Sequence, residues 1–352
     1  MSLKLPWPSL LSLTASALIL VVGWQMINGK VREKPSIQDD SILTPDEIAN
    51  LPPDTLVAVL PQGEASDTRS FDYRLLQLAL SKSGEPYAIG YGNSITNQQA
   101  SIQRIAASIQ PSKQNPTGLN VGLFGVGKEI DRRLKPVPIP ALGGLLGLRA
   151  LWVNSNRVDR FRFVRQRADL GRAIAVQGIG WSDVEVLRAA GIRTYTTETV
   201  KILELINQDR VDFYPKGITE LEEGSKLIEA RYGSVALEKN LLLAYPFAML
   251  FYLNPDNTGL HVAIQRGLER AVQDGSYLKL LNSDVVTPRL RNALRLRGRR
   301  VLSLPNPDAA ALLKDVDPKF WLVPWRDIAQ GRLKRGEDLC GFPVLQELCG
   351  SP

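Results

Sequence analysis

Seven side chains between Arg149 and Glu220 could do chemistry together: Arg149, Trp181, Ser182, Asp183, Tyr214, Lys216 and Glu220. Trp181, next to the start of a helix, offers a flat apolar wall beside a positive dipole end, where an anion or a ring could rest; the alternative is a tryptophan packed at the base of a chain crossing. Asp183 in the first helical turn suits the dipole with or without a ligand. Tyr214 and Lys216 could give a hydrogen bond and a cation to an acidic group. Lys216 could equally form a solvated ion pair with Glu220. Arg149 could hold a ligand carboxylate or brace the crossing on which it stands.

Catalysis finds little support in the same residues. The single histidine, His261, opens an amphipathic helix and reads as a solvated or capping residue, so no Ser-His-Asp set forms around it. The stretch Gly122 to Lys128 is too short for a phosphate loop, and Glu129 stands where that loop needs Ser or Thr. A zinc site has neither a second cysteine pair nor a nearby histidine. The reading is therefore without enzymatic activity, cofactor or metal. The rival enzyme on the same scaffold would need Asp183 or Glu220.

The candidate residues lie on one unit, Gly171 to Glu223. An apolar run, Ala173 to Val176, turns through Gly178 and Gly180 into a helix opened by Ser182 and Glu185, which fit a capping box. A second helix, Glu198 to Gln208, leads to a strand, Val211 to Tyr214, halted by Pro215. In such an α/β layer the crevice lies beyond the carboxyl ends of the strands, which is where the loop at Gly178 to Asp183 and the stretch from Tyr214 to Glu220 fall.

An earlier block repeats this alternation: strand Leu56 to Leu60, closed by Pro61; helix Phe71 to Lys82; strand Tyr87 to Tyr91; helix Asn93 to Gln110; strand Leu119 to Phe124. Between the blocks, Pro136 to Val153 reads as a crossing, and Leu241 to Leu253, broken by Pro246, as the return. A helix follows from His261 to Asp274. The arginines from Arg289 to Arg300 read as a basic helix face with Leu290 and Leu294 inward, either solvated or touching anionic lipid.

The 352 residues carry a net charge of +7, 44% hydrophobic and 22% charged residues, which describes a globular chain long enough for two domains and drawn to anionic surroundings. Nucleic acid is not the expected partner. Lys4 precedes an apolar stretch from Leu5 to Ile27, long enough to span a bilayer and without a convincing cleavage site, so a membrane anchor is favoured over a cleaved signal peptide. The two cysteines, Cys340 and Cys349, lie nine positions apart with Gly341 and Pro343 between them. They could close a disulfide in an oxidising compartment, or remain two thiols near the terminus.

The order of these pieces resembles a family. Asp67-x-Arg69, the crossing Pro140 to Arg149, the loop Gln177 to Asp183, Arg210 to Gly217 with Glu220, Tyr245-Pro246-Phe247, Asp274-Gly275-Ser276 and Leu304 to Pro307 leading to Trp321 look like a divergent subgroup of the bacterial extracytoplasmic solute-binding proteins of the polar-amino-acid type. The resemblance covers roughly Leu56 to Trp321. It implies a two-lobed, type II periplasmic-binding-protein-like α/β fold, each lobe a mostly parallel sheet flanked by helices, with two hinge crossings and a hydrophobic N-terminal helix. The implied divisions are 1–34 signal or anchor, 35–54 linker, 55–145 first lobe, 146–243 second lobe, 244–325 return to the first lobe and 326–352 tail. The implied function is hinge closure on a small, anionic ligand, for transport or sensing, with an ABC permease or a membrane sensor as partner. Two departures stand against an amino-acid ligand. The family's carboxylate-binding arginine has its nearest match at Lys128-Glu129-Ile130, which offers isoleucine, and its ammonium-binding aspartate falls at Lys216-Gly217. The alternative is a module that kept the lobes and lost the ligand, serving a membrane protein as structural or signalling partner.

Overall fold

The computed structural model describes residues 42–63, 66–111, 118–221, 228 and 231–350. The fold is mixed α/β in two lobes. In the first, β1 (Leu56–Gln62) pairs in parallel with β2 (Tyr87–Ile95), and β3 (Val121–Gly125) and β4 (Lys135–Pro136) flank β11 (Met249–Leu253) in antiparallel register. A buried side chain joins these two sheets. Asn120 accepts the Val59 N–H at 2.8 Å and donates to the Val57 carbonyl at 2.7 Å, standing in for the ladder between β1 and β3.

The second lobe is one sheet in the order β12-β10-β5-β8-β6-β7, with β9 (Val235–Leu237) also on β5. Its strands are β5 (Leu148–Asn154), β6 (Ile174–Gly178), β7 (Arg193–Thr197), β8 (Phe213–Gly217), β10 (Leu241–Ala244) and β12 (Arg300–Ser303). Every residue of β5 is buried, as its continuous apolar run requires of a strand with neighbours on both edges.

Helices cover the sheets where the spacing of apolar residues directs them. In α1 (Phe71–Ser81), Leu75, Leu76, Ala79 and Leu80 face inward, and each buried leucine contributes about 1.5–3 kcal/mol. Its neighbour α5 (Thr258–Gln273) approaches so closely that a side chain at Gly267 would meet the Ala79 carbonyl. Between them in sequence come α2 (Gln98–Ala106), α3 (Asp183–Ala189) and α4 (Ile202–Asn207).

Segments 137–147 and 245–248 link the lobes. The first bends through Gly143 and Gly144, both at positive φ, against Trp321 and Leu322; the Leu322 N–H donates to the Gly143 carbonyl at 2.9 Å. A third passage follows, since β12 lies beyond the return strand β11 yet pairs in parallel with β10.

Several local expectations are corrected. Strand β1 continues through Pro61, at an irregularity in its register, and β8 continues through Pro215, because pairing with β6 is confined to Ala175 and Phe213 and few ladder bonds are at stake beyond it. Helix α2 starts at Gln98, capped by Asn97, because β2 extends to Ile95. His261 is buried, its Nε2 2.9 Å from the Pro136 carbonyl, rather than solvated or capping. The basic run does not make one helix face. Helix α6 (Pro288–Leu294) ends early, and Arg299 is buried with its guanidinium donating to the carbonyls of Leu294, Glu238 and Leu241. Burial lowers the Arg299 pKa to about 10.

Cys340 and Cys349 form the disulfide. No helix among the described residues is long and apolar enough to cross a membrane, and the expected N-terminal anchor lies outside the described residues.

Candidate functional site

Arg149 is the second residue of β5, opposite Gly217 of β8. The packing there is close: a Cβ at Gly217 would stand 2.4 Å from Leu146 Cδ1 and 2.8 Å from Glu220 Oε2, so those side-chain ends would have to shift. The Arg149 guanidinium lies in the interior, 4% exposed, near the start of a strand whose residues are all buried. Its Nη2 is 3.4 Å from Asp183 Oδ2, and its Nη1 is 3.8 Å from Glu220 Oε2. The rings of Tyr245 and Phe247, from the return crossing, lie 5.4 and 5.2 Å from the guanidinium carbon, within cation–π range. Arg149 Nε has no hydrogen-bond partner among the described residues.

Asp183 is 2% exposed although it opens a helix. Its Oδ2 accepts from Gln177 Nε2 at 2.8 Å and from the Tyr245 hydroxyl at 3.1 Å. Gln177 Nε2 also reaches the Pro215 carbonyl, while its Oε1 has no partner among the described residues. The capping box expected of Ser182 and Glu185 is absent. Ser182 adopts helical backbone angles, so its hydroxyl is not placed to accept the orphan N–H groups. Instead Ser182 meets the first lobe, where side chains at Gly125 and Gly127 would strike it.

The electrostatics follow from enclosure. Burial raises the Asp183 pKa, with Arg149 opposing, and burial also pushes the Tyr245 hydroxyl well above its ordinary value. Burial alone would lower the Arg149 pKa, but the Asp183 and Glu220 carboxylates beside it favour the charged guanidinium and the pKa rises. Two carboxylates thus face one guanidinium, and Glu220, with a side chain 40% exposed, is the one open to the cleft.

A chamber of about 220 Å³ lies above this cluster, walled by Trp181, Ser182, Gln98, Gly125 and Phe247 among others. Past Trp181 and Gln98 lies an outer hollow of about 680 Å³ with Ile102, Ile130 and Ile179 on its walls. Arg149, Trp181, Ser182, Asp183 and Glu220 therefore share one cleft. Tyr214 is buried behind Trp181, the rings 6.4 Å apart. Lys216 is half-buried, opposite Ala150, and lines none of this space. The anticipated Lys216–Glu220 pair is not formed: Glu220 accepts from the Gly217 N–H at 3.0 Å and faces Arg149.

Gln98, Gln177 and Met249 also belong to the site or its support, and the sequence reading did not assign them. Gln177 stood in a quoted motif, which was the available signal; Gln98 sits on a polar helix with none. Among the described residues no three His, Cys, Asp or Glu side chains stand together as a metal site.

No family model and no curated protein matches the chain. The solved structures it is similar to include a putative binding component of an ABC transporter from Wolinella succinogenes complexed with lysine, at 12% identity, covering 68% of this chain and 98% of that one with a TM-score of 0.49. An amino acid ABC transporter substrate-binding protein from Streptococcus pneumoniae bound to L-arginine is 10% identical, with coverages of 66% and 93% and a TM-score of 0.46. The P235GK mutant of ArgBP from T. maritima is 13% identical, with coverages of 66% and 95% and a TM-score of 0.44. Scores below 0.5 at such identities say nothing of ligand or activity for this chain.

Proposed function

We propose that this protein is an extracytoplasmic binding module that closes two lobes over a small ligand by hinge motion, in transport or sensing, with no catalytic step. The observation that carries the reading is the chamber above Arg149, Asp183 and Glu220, walled by both lobes and by Trp181. Differential contact with a ligand in the closed form would shift the lobes toward closure. The charge arrangement speaks against the anionic ligand expected at first, since Arg149 is already faced by two carboxylates. A neutral or zwitterionic molecule, with its donor group toward Glu220 and its apolar part on Trp181, suits the site better. An ABC permease or a membrane sensor is the partner this reading calls for.

Thermal unfolding with amino acids, dicarboxylates and short peptides tests it. A ligand at 100 times its Kd stabilises by about 2.7 kcal/mol, and Trp181→Ala should remove that gain. Silence across all three classes overturns the reading. It would favour the second one, a module without a small ligand, for which the brace of Trp321 and Leu322 on the first crossing is the specific support.

A further inference from the structure

Beside β12, at the end of the large sheet, lies a groove of about 640 Å³ that shares no lining residue with the cleft. Arg165, Arg300, Lys334 and Arg335 line it, with Glu337 as its carboxylate. That carboxylate is engaged, accepting the Gly298 N–H at 2.8 Å. Among the described residues, Arg165, Lys334 and Arg335 form no ion pair. The groove therefore carries an excess of positive charge, with the Asp169 and Asp338 carboxylates beside it accepting the backbone N–H groups of Arg165, Gln166, Lys334 and Arg335.

The flanking segment adds a second feature. Arg300 donates to the Val164 carbonyl and so ties residues 158–167 to β12. This segment carries Arg160, Arg162 and Arg167 besides Arg165, and Phe163 at its tip is 63% exposed, with the Arg162 guanidinium 4.7 Å from its ring centre. A soluble anion would use the cations and leave the ring unexplained. A lipid surface takes both, phosphate headgroups against the cations and an aromatic ring in the interfacial layer. In the sequence, the apolar stretch ending at Ile27 is followed by a short connection up to residue 41, which can reach at most about 50 Å. A chain held by that stretch would have residue 41 no farther than this from the bilayer.

We propose that this face docks on an anionic phospholipid surface, with headgroup phosphates in the groove and Phe163 in the interface. The test uses the full chain reconstituted in vesicles of phosphatidylcholine alone or with phosphatidylglycerol, with trypsin cleavage after Arg160, Arg162 and Arg167, which every variant keeps, as readout. Each cation near such a surface contributes a factor of roughly five, so cleavage should slow at least about tenfold with phosphatidylglycerol and recover in high salt. Arg165→Glu with Arg335→Glu should abolish the protection, and Phe163→Ser should reduce it at constant salt. If the charge reversals shift the melting temperature, Arg165→Gln with Lys334→Gln takes their place. Equal cleavage in both vesicles overturns the proposal. So does equal protection by inorganic phosphate or heparin in phosphatidylcholine vesicles, which would make the groove a site for soluble anions.

Discussion

Asp183 Oδ2 lies 3.4 Å from the Arg149 guanidinium and at the same time accepts hydrogen bonds from Gln177 and Tyr245. One oxygen atom thus ties together the first strand of the second lobe, the head of α3 and the return crossing. Because the pair is buried, removing one partner leaves a charge that water cannot reach.

Asp183→Asn should accordingly destabilise the fold by about 3 kcal/mol. Glu220→Gln, at a partly exposed position, should cost about 1 kcal/mol or less. Urea unfolding of both variants measures the difference. A larger loss for Glu220→Gln would reverse the order of the two carboxylates in holding Arg149.

A pH dependence follows from His261. Burial lowers its pKa below the ordinary 6.5, with the Pro136 carbonyl opposing. A base whose folded pKa is depressed stabilises the fold above its unfolded pKa, and that contribution is lost as pH falls through 6.5 toward the lower folded value. Stability should fall over that window in the parent and stay flatter in His261→Gln. As the chain has one histidine, its imidazole resonance titrates without assignment ambiguity. A pKa at or above 6.5 would sink the prediction.

What the sequence made legible was local. Alternating apolar runs placed β1, α1, β2 and β6 within a few residues, and the spacing of Cys340 and Cys349 allowed the bond that formed. What it hid depended on partners far along the chain. Pro61 and Pro215 looked like strand ends, yet whether a missing N–H matters is decided by the neighbouring strand. Lys216 looked like the partner of Glu220 four residues away, but β-pairing puts Arg149, from far earlier in the chain, opposite Gly217 and takes Lys216 out of the cleft. The pattern at Ser182 favoured a capping box, and the inward turn of Asp183 toward Gln177 and Tyr245 accompanies its absence.

Asn120 is the place where the first lobe should be most sensitive. Its side chain replaces ladder bonds between β1 and β3, so Asn120→Leu leaves the Val59 N–H and the Val57 carbonyl buried without those partners. At about 1–3 kcal/mol for each of the two orphaned groups, the loss should be about 2–6 kcal/mol. Faster amide exchange at Val59 should accompany it. A variant as stable as the parent would mean that the strands close the gap themselves.

The disulfide closes a short loop, for which chain entropy gives about 2–3 kcal/mol. The loop holds the tail against the body, where Leu348 accepts the Leu296 N–H at 3.0 Å and Glu347 pairs with Arg291 at 2.8 Å. Reduction should therefore raise amide exchange at Leu296 before it affects the cleft. Simultaneous loss of both would show that the tail and the lobes unfold as one unit.

The crossings give the sharpest steric prediction. A Cβ at Gly147 would stand 2.2 Å from the Tyr245 carbonyl and 2.7 Å from the Trp325 ring. The first contact is with backbone of the return crossing, and the Gly147 carbonyl accepts the Tyr245 N–H at 3.1 Å, so the two crossings lie against each other by hydrogen bond as well as by contact. Neither can yield by rotating a flexible side chain. Gly147→Ala must push the crossings apart or shift Trp325, and about 3 kcal/mol of destabilisation is expected, at the upper end of overpacking costs. Displacing Tyr245 also moves the hydroxyl that donates to Asp183, so the variant should weaken ligand-dependent stabilisation although residue 147 does not line the chamber. Measuring both quantities separates two cases. Lost stability with intact ligand response would mean that the crossings carry load without setting the geometry of the cleft.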